Sequence, residues 1–299
     1  MVDAKSSNQG RPLSEQKARE DIRPLLSVLC QTFNQEQFIG PCLDSILRQY
    51  ASFPVEIIVH DDASTDGTAA IVRTYAQRFP EIIQPILQTE NHLSRMSKVD
   101  PIMLQHARGA FIASCDGDDV WLDPHKLTKQ VTFLLNNPSY VLSFHDAVHM
   151  SADGDAIDSR PVLPNSARRD YTQSELQVLK WGWMLMGTVV HRNVELSFPP
   201  EFSLALNGDV FIPMLLARFG GAKFQEEVGP LGYRQHPGSM MSSKTPREKK
   251  RRVFQSYLVI ASYFVRIGEV ELAEQILSTK LGHPPSRRWS EFWESPTQS

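Results

Sequence analysis

The strongest chemical signal in the sequence is a short run of carboxylates, Asp116-Gly117-Asp118-Asp119. In an extended chain the side chains of Asp116 and Asp118 point to the same side, and Gly117 lets the backbone approach a ligand closely. Two like charges so near each other are costly unless a cation neutralises them, and oxygen ligands select hard ions such as Mg²⁺ or Mn²⁺. The run therefore predicts a divalent-metal site, with a solvated acidic turn before a helix as the alternative.

A second acidic segment, Asp61-Asp62-Ala63-Ser64, follows an apolar stretch that has the length of a strand. Carboxylates at a strand end can accept paired hydrogen bonds from the edge of a nucleobase or from ribose hydroxyls. The same residue types also cap helices and form turns, so this segment alone leaves both interpretations open.

Both acidic segments need a framework that brings them together, and the apolar pattern supplies one. Short apolar runs predict strands at 25–30, 55–60, 82–87 and 110–115, and helical patterns lie between them, at 69–79 and 101–108 among others. Strands that alternate with helices indicate a mostly parallel sheet covered on both faces, with ligands beyond the carboxyl ends of its strands. The two acidic segments follow the second and fourth predicted strands, so we expect them at the same edge of the sheet.

Several motifs occur in an order that resembles the GT-A glycosyltransferases of family 2, the inverting nucleotide-sugar transferases. The segments that carry the resemblance are 31–34, 61–68, 107–112, 116–121 and 233–242. The match is close over about residues 24–145 and loose over 180–243. It implies an α/β fold of the GT-A type, which is a Rossmann-like, mixed and mostly parallel sheet flanked by helices.

The resemblance also implies roles on the donor side of a site. Thr32 and Asn34 would line the nucleotide loop, and Asp62 would meet a uracil-type base or the ribose. Asp116 would lie near the ribose, while Asp118 would hold a Mn²⁺ or Mg²⁺ ion that bridges the diphosphate. Asp119 would support that ion or the donor sugar.

The segment after the third predicted strand departs from the family pattern. It leaves Arg95 and Lys98 as candidates for contacts with the base or the phosphates, with a solvated loop as the alternative. Trp181 and Trp183, with Met184, are candidates for an aromatic platform under an acceptor sugar, although tryptophans more often pack in a core.

The candidate general base is Asp209, which opens an apolar helix and resembles the family's catalytic acid in position. An inverting transfer needs a carboxylate that removes the proton of the acceptor hydroxyl. Gly208 stands where the family more often carries another acid, so the sequence suggests no carboxylate beside the base. An aspartate that stabilises a helix N-terminus is the alternative.

The segment 233–242 resembles the loop that closes the family's site. There His236 would ligate the ion or donate a hydrogen bond to the diphosphate, and Arg234 would add positive charge beside the anionic leaving group. A histidine with a structural role only is the alternative.

The chain divides into three predicted parts: a flexible N-terminal arm over 1–22, a GT-A domain over 23–243 and a helical region over 244–299. Six basic residues crowd the start of the last part against the single acid Glu248, and they are Lys244, Arg247, Lys249, Lys250, Arg251 and Arg252. The segment 244–260 is a candidate for contact with anionic lipid headgroups, with solvated helix ends as the simpler alternative.

Composition excludes several classes of protein. The 299 residues carry a net charge of −3 and a hydrophobic share of 41%, which is ordinary for a globular protein and gives no basic field for nucleic acid. The apolar stretches are too short to span a bilayer, the first residues lack the pattern of a secretory signal, and three cysteines without metal spacing fit a reducing compartment. We therefore expect a cytoplasmic protein, and the inner face of the membrane is a candidate place of attachment.

The sequence as a whole predicts metal-dependent, inverting transfer of a sugar from a nucleoside diphosphate donor, with UDP preferred. The acceptor would be a glycan or a lipid-linked saccharide in the synthesis of a surface polysaccharide or glycoconjugate. A nucleotidyltransferase is an alternative, but 31–37 lacks the Gly-rich, basic phosphate loop that such enzymes usually need. A phosphatase or phosphomutase and a non-catalytic module of the same fold are further alternatives.

Overall fold

The structure is a computed structural model that describes residues 10–16, 22–92, 98–154, 156–180, 184–239 and 244–281. Its strands are β1 (Arg11–Pro12), β2 (Leu26–Thr32), β3 (Tyr50–Ala51), β4 (Val55–Asp61), β5 (Ile83–Leu87), β6 (Phe111–Asp116), β7 (Val120–Trp121), β8 (Tyr140–Phe144), β9 (Ala147–Met150), β10 (Ala156–Asp158), β11 (Val190–Arg192), β12 (Gly221–Phe224) and β13 (Leu231–Arg234). Its α-helices are α1 (Ile39–Leu47), α2 (Thr68–Arg78), α3 (Val99–His106), α4 (Lys126–Asn136), α5 (Gln173–Gln177), α6 (Pro200–Leu204), α7 (Gly208–Leu216), α8 (Pro246–Arg266) and α9 (Val270–Leu281).

The main sheet has seven strands in the order β12-β8-β11-β6-β2-β4-β5. Strand β2 pairs in parallel with β4 and β6, β4 pairs in parallel with β5, and β12 in parallel with β8. Strand β11 is antiparallel to both of its neighbours. The predicted mixed, mostly parallel sheet flanked by helices is therefore confirmed.

The central strands are buried on both faces, and apolar residues predominate in them without a strict alternation. Helix α3 covers one face through a small cluster in which Val99 and Met103 pack near Leu29, Ile58 and Ile112. Helices α1 and α4 cover the other face, in a larger core that also contains the three free cysteines, Cys30, Cys42 and Cys115. The register aligns Gln31 with both His60 and Asp116, so the carboxyl ends of β2, β4 and β6 form one edge.

A second sheet, in the order β10-β9-β13-β7, stands beside this edge. Strand β13 is antiparallel to β7 and parallel to β9, and it thereby brings Arg234 next to the turn that follows β6. Because β7 has two residues and β13 has four, neither strand leaves a periodic pattern in the sequence.

The C-terminal helices share a core with the rest of the chain. Ile260 and Phe264 of α8 and Ile276 of α9 lie in the same buried cluster as Phe211 of α7. Helix α8 begins at Pro246, where Thr245 and Glu248 form a reciprocal capping box. Within the described residues, no helix combines the length and the hydropathy needed to cross a bilayer.

Part of the predicted N-terminal arm is ordered in the structure. Residues Arg11–Pro12 pair with β3, and Leu13 is fully buried in the core beside α1. The prediction of a flexible arm over 1–22 therefore does not hold for this short segment, because its one apolar side chain docks into the domain.

Candidate functional site

Residues 116–119 form a turn at the end of β6, called the carboxylate turn, and β2 holds it in place. Gln31 Nε2 donates to Asp116 Oδ1 at 2.8 Å, and the backbone N–H of Gly117 donates to Gln31 O at 2.8 Å. The turn closes with a hydrogen bond of 2.9 Å from Asp119 N to Asp116 O. Burial, and then the charges of Asp118 and Asp209, raise the pKa of Asp116 to about 7.

Gly117 is required by the packing of this turn. A β-carbon at this position would lie 2.5 Å from Gln35 Oε1 and 2.9 Å from Thr32 Oγ1, which is closer than side chains approach one another. The missing side chain thus lets the carboxylate turn lie directly against the loop that follows β2.

Asp118 and His236 are brought together from distant parts of the sequence. His236 Nε2 lies 2.9 Å from Asp118 Oδ2, and the imidazole ring stacks on Phe38 with 4.4 Å between ring centroids. The Asp118 side chain retains 15% of its exposure and His236 7%, so the pair is at the surface of a cleft. The carboxylate oxygen is the kind of ligand that Mn²⁺ or Mg²⁺ prefers, and imidazole nitrogen is a common ligand of transition metals.

Asp119 and Arg234 point into the protein. Asp119 is buried, and its Oδ1 accepts the backbone N–H of Arg234 at 2.9 Å. Arg234 is also buried, and its guanidinium donates to the carbonyls of Asp118 at 2.8 Å and Ala152 at 2.8 Å while lying over the ring of Phe38. These two residues fix the turn that carries Asp118, and the Arg234 guanidinium is occupied by backbone carbonyls.

The loops after β2 and β4 are fastened to each other. Asn34 has a φ of 50°, and its Oδ1 accepts the backbone N–H of Thr65 at 2.8 Å. Thr32 is buried, and its hydroxyl donates to Gln35 Oε1 at 2.8 Å. Asp62 is buried too, and its Oδ1 accepts the backbone N–H of His92 at 2.8 Å.

Asp209 lies in the first turn of α7, within electrostatic range of Asp116. Helix α8 holds the segment before it: Gln255 Oε1 accepts from Leu206 N at 3.0 Å, and Ser256 Oγ accepts from Asn207 N at 3.0 Å. Desolvation by the surrounding protein raises the pKa of Asp209, and Lys98 opposes that rise. Because Asp209 is exposed, water at the cleft mouth limits the shift.

The environment of Tyr233 links Asp209 to the carboxylate turn. Burial raises the pKa of Tyr233, and so do the charges of Asp119, Asp116, Asp118 and Asp209. A single tyrosine on β13 therefore lies within electrostatic range of the carboxylate turn and of Asp209. Asp209 also acts on the pKa of Asp116, so these acids belong to one cleft.

Lys98 lies beside Asp209 rather than near the loops after β2 and β4. Its Nζ donates to Ala205 O at 2.6 Å and lies 5.9 Å from the centre of the Phe202 ring. Burial lowers the pKa of Lys98, whereas Asp100 and Asp209 raise it. Three of the residues singled out from the sequence, Arg95, Trp181 and Trp183, lie outside the described residues, and Met184 is buried in the core.

Sequence reasoning missed several residues of this cleft. Gln31, Phe38 and Tyr233 contact or face the predicted site residues, but their types carry no chemical signal by themselves. Asp100 is the largest omission, because it places another carboxylate near Asp209. In the sequence it is one acid in the first turn of a helix, which is the usual place for such a residue.

The comparisons with known proteins agree with this geometry. Residues 27–190 match the family model described as Glycosyl transferase family 2. An uncharacterized protein of Mycobacterium tuberculosis is 38% identical over 167 residues, which is 56% of this chain and 46% of that protein. The chain thus spans about half the length of this relative.

Two solved structures have a similar fold. Residues 1–349 of TarS of S. aureus, in complex with UDP-GlcNAc, have a TM-score of 0.60 at 17% identity, and the match covers 89% of this chain and 75% of that fragment. The mannosyltransferase PcManGT of Pyrobaculum calidifontis, in complex with GDP-Man and Mn²⁺, has a TM-score of 0.55 at 17% identity, covering 96% and 82%. At these identities the likeness shows the fold, which is of the GT-A type.

Proposed function

Because the chain belongs to glycosyltransferase family 2, we propose that it transfers a sugar from a nucleoside diphosphate donor to a saccharide hydroxyl, with inversion at the anomeric carbon. The observation that carries the proposal is the cleft itself. Asp116 ends β6, Asp118 in the turn that follows contacts His236, and Asp209 lies within electrostatic range of Asp116.

The donor nucleotide would lie against the loops after β2 and β4. Asp62, at the end of β4, is the candidate for contacts with the base or the ribose, and Thr32 and Asn34 shape the loop opposite it. Asp116 is the candidate for the ribose. UDP is the first donor nucleotide to test, since TarS was solved with UDP-GlcNAc, and GDP is the second, since PcManGT was solved with GDP-Man.

Asp118 and His236 would hold a divalent ion, Mn²⁺ or Mg²⁺. Among the residues that the structure describes, no group of three or more such side chains is arranged to hold an ion. Any further ligands would therefore come from donor phosphates and water, which is usual for Mg²⁺. When bound, such an ion neutralises the charge that develops on the departing diphosphate.

Asp209 would be the general base. Its carboxylate takes the proton of the acceptor hydroxyl while the acceptor oxygen bonds to the anomeric carbon and the bond to the diphosphate breaks. General-base assistance of this kind contributes about 10²- to 10⁴-fold in rate. Asp119 and Arg234 contribute by fixing the turn that carries Asp118.

An exposed face of α8 supports a lipid-linked acceptor. Arg247, Lys250 and Arg251 are exposed in its first two turns, and Phe254 and Leu258 follow at helical spacing with 41% and 44% of their surface exposed. Basic residues contribute about 1 kcal/mol each near an anionic bilayer, and the apolar pair adds burial in the interface. We therefore assign this face to anionic lipid at the cytoplasmic surface of the membrane.

The test of the function is donor turnover. The purified protein is incubated with UDP-glucose, UDP-GlcNAc or GDP-mannose, with Mn²⁺ or with EDTA, in the presence of a panel of oligosaccharides and undecaprenyl-diphosphate-linked sugars. We expect release of nucleoside diphosphate from one donor, loss of that release in EDTA, and a product of inverted anomeric configuration by NMR. Retained configuration, or turnover unaffected by EDTA, would contradict the proposal.

A further inference from the structure

The first turns of helices α3 and α7 lie near each other, and each carries an acid. These acids are Asp100 and Asp209. A β-carbon built on Gly208 would lie 3.7 Å from Asp100 Oδ2, so the Asp100 carboxylate reaches the backbone immediately before Asp209. The sequence suggests no carboxylate beside Asp209, because position 208 is glycine, but α3 supplies one from another part of the chain.

The surroundings of this pair are mostly polar and charged. Lys98 comes from the segment before α3, and Arg252 comes from α8, where its Nη2 donates to Leu206 O at 3.1 Å. Asp116 faces the pair from β6, and Tyr233 faces Asp209 from β13. The two cations repel each other, and each donates a hydrogen bond to a backbone carbonyl of the loop before α7. Two carboxylates and two cations therefore lie close together here.

We infer that Asp100 is a positioning residue for the proposed transfer: its carboxylate, standing beside Asp209, makes Asp209 a stronger proton acceptor. The inference rests on the function proposed above. It differs from a merely structural role, in which Asp100 would only stabilise the N-terminus of α3.

The physical argument is the mutual repulsion of two nearby carboxylates. Burial, and then the charge of Asp209, raise the pKa of Asp100 to about 6. Because the repulsion acts equally on both partners, ionised Asp100 raises the proton affinity of Asp209 in return. The first proton that the pair accepts relieves this repulsion.

That proton is the one released by the acceptor. As the acceptor oxygen forms its bond to the anomeric carbon, its proton moves to a carboxylate oxygen of Asp209. The bond between the anomeric carbon and the diphosphate oxygen breaks, and its electron pair leaves with the nucleoside diphosphate. A base with higher proton affinity makes this step easier, and a conjugate acid with a pKa near the working pH is the most effective.

The first test needs no turnover. The full chain is labelled with ¹³C at the aspartate carboxyl carbons, and its signals are titrated between pH 4 and pH 8 in Mg²⁺, which is diamagnetic. The Asp209 signal is identified by its loss in Asp209→Asn. We expect that signal to show a titration step near pH 6 that disappears in Asp100→Asn, and an unchanged Asp209 titration in that variant would overturn the inference.

The second test moves the carboxylate from α3 to α7. In Asp100→Asn/Gly208→Asp the new acid occupies the place that Asp100 Oδ2 reaches, and a side chain fits there because its β-carbon meets nothing closer than 3.7 Å. We expect the titration step near pH 6 to return. Glu271→Gln, which removes an exposed first-turn acid from α9, is the matched control and should leave the step unchanged.

Activity then separates the two hypotheses. With the donor that the wild type turns over, Asp100→Asn should lower kcat and move the acid limb of the kcat/KM profile down by about one pH unit, with KM for the donor unchanged. In the double variant the acid limb of the kcat/KM profile should return to its wild-type pH. A wild type without turnover would refute the proposed function alone, whereas normal turnover with an unshifted limb in Asp100→Asn would refute the role of Asp100 alone.

Discussion

Helix α8 positions the candidate base, and one serine provides a sharp test of this. Ser256 is fully buried; its Oγ accepts the backbone N–H of Asn207 at 3.0 Å and donates to Arg252 O at 3.1 Å. Asn207 is the residue before α7, two positions from Asp209. Ser256→Ala therefore removes the partner of a backbone donor that fixes the start of the helix carrying the base.

The expected magnitude follows from that single hydrogen bond. A partly buried N–H left without a partner costs about 1–3 kcal/mol. If the whole cost is felt in the transition state, kcat falls roughly 5- to 150-fold, because 1.36 kcal/mol corresponds to a factor of ten. Binding of the donor nucleotide should change little, since the loops after β2 and β4 make no contact with Ser256.

Ser262→Ala is the matched control in the same helix. Ser262 is exposed, and its Oγ donates to Val259 O at 2.8 Å within α8 itself, so its loss should stay within about 0.5 kcal/mol. The assay is nucleoside diphosphate release at saturating donor, with urea unfolding to confirm that both variants are folded. Equal kcat values for the two folded variants would refute the view that α8 positions Asp209.

Three further predictions address the metal side, the core and the membrane face. Asp118→Ala should weaken donor binding at least tenfold in Mn²⁺ by calorimetry but leave binding in EDTA unchanged; an equal loss in both conditions would argue against a metal ligand. Lys126 is buried, and burial lowers its pKa to about 7, so the folded chain releases a proton that the unfolded chain keeps up to about pH 10. Wild-type stability should therefore rise relative to Lys126→Met as the pH increases from 6.5 to 9, and parallel melting curves would contradict this. Lys250→Glu/Arg251→Glu should abolish sedimentation with phosphatidylglycerol vesicles while donor turnover in solution persists, whereas unchanged sedimentation would exclude this face.

The framework of the fold is predictable from the sequence because its central strands and the helices between them are long and strongly patterned. Strands β2, β4, β5 and β6 lie within one or two residues of the apolar runs that predict them. The short strands β7, β9 and β13 are not predictable in this way, since two to four residues acquire their pairing only from the tertiary context. The strand β10, within the long polar segment 151–170, is not predictable for the same reason.

The candidate site is predictable only in part. Residue type and the resemblance to the family single out Asp118, His236 and Asp209; the structure brings the first two into contact, and the third lies within electrostatic range of Asp116. Residue type alone suggests phosphate contacts for Arg234, but its guanidinium lies against backbone carbonyls. Asp100 leaves no signal, because its proximity to Asp209 results from the tertiary approach of the first turns of α3 and α7 rather than from any local pattern.

The most direct test of the account compares binding and turnover in Asp209→Asn. In the proposed function, the carboxylate turn and His236 would bind the donor, and Asp209 would act only when the acceptor loses its proton. We predict that Asp209→Asn binds UDP with Mn²⁺ within about twofold of the wild type, while its sugar transfer falls at least 100-fold, the size of a lost general base. Transfer at the wild-type rate in this variant would contradict the account.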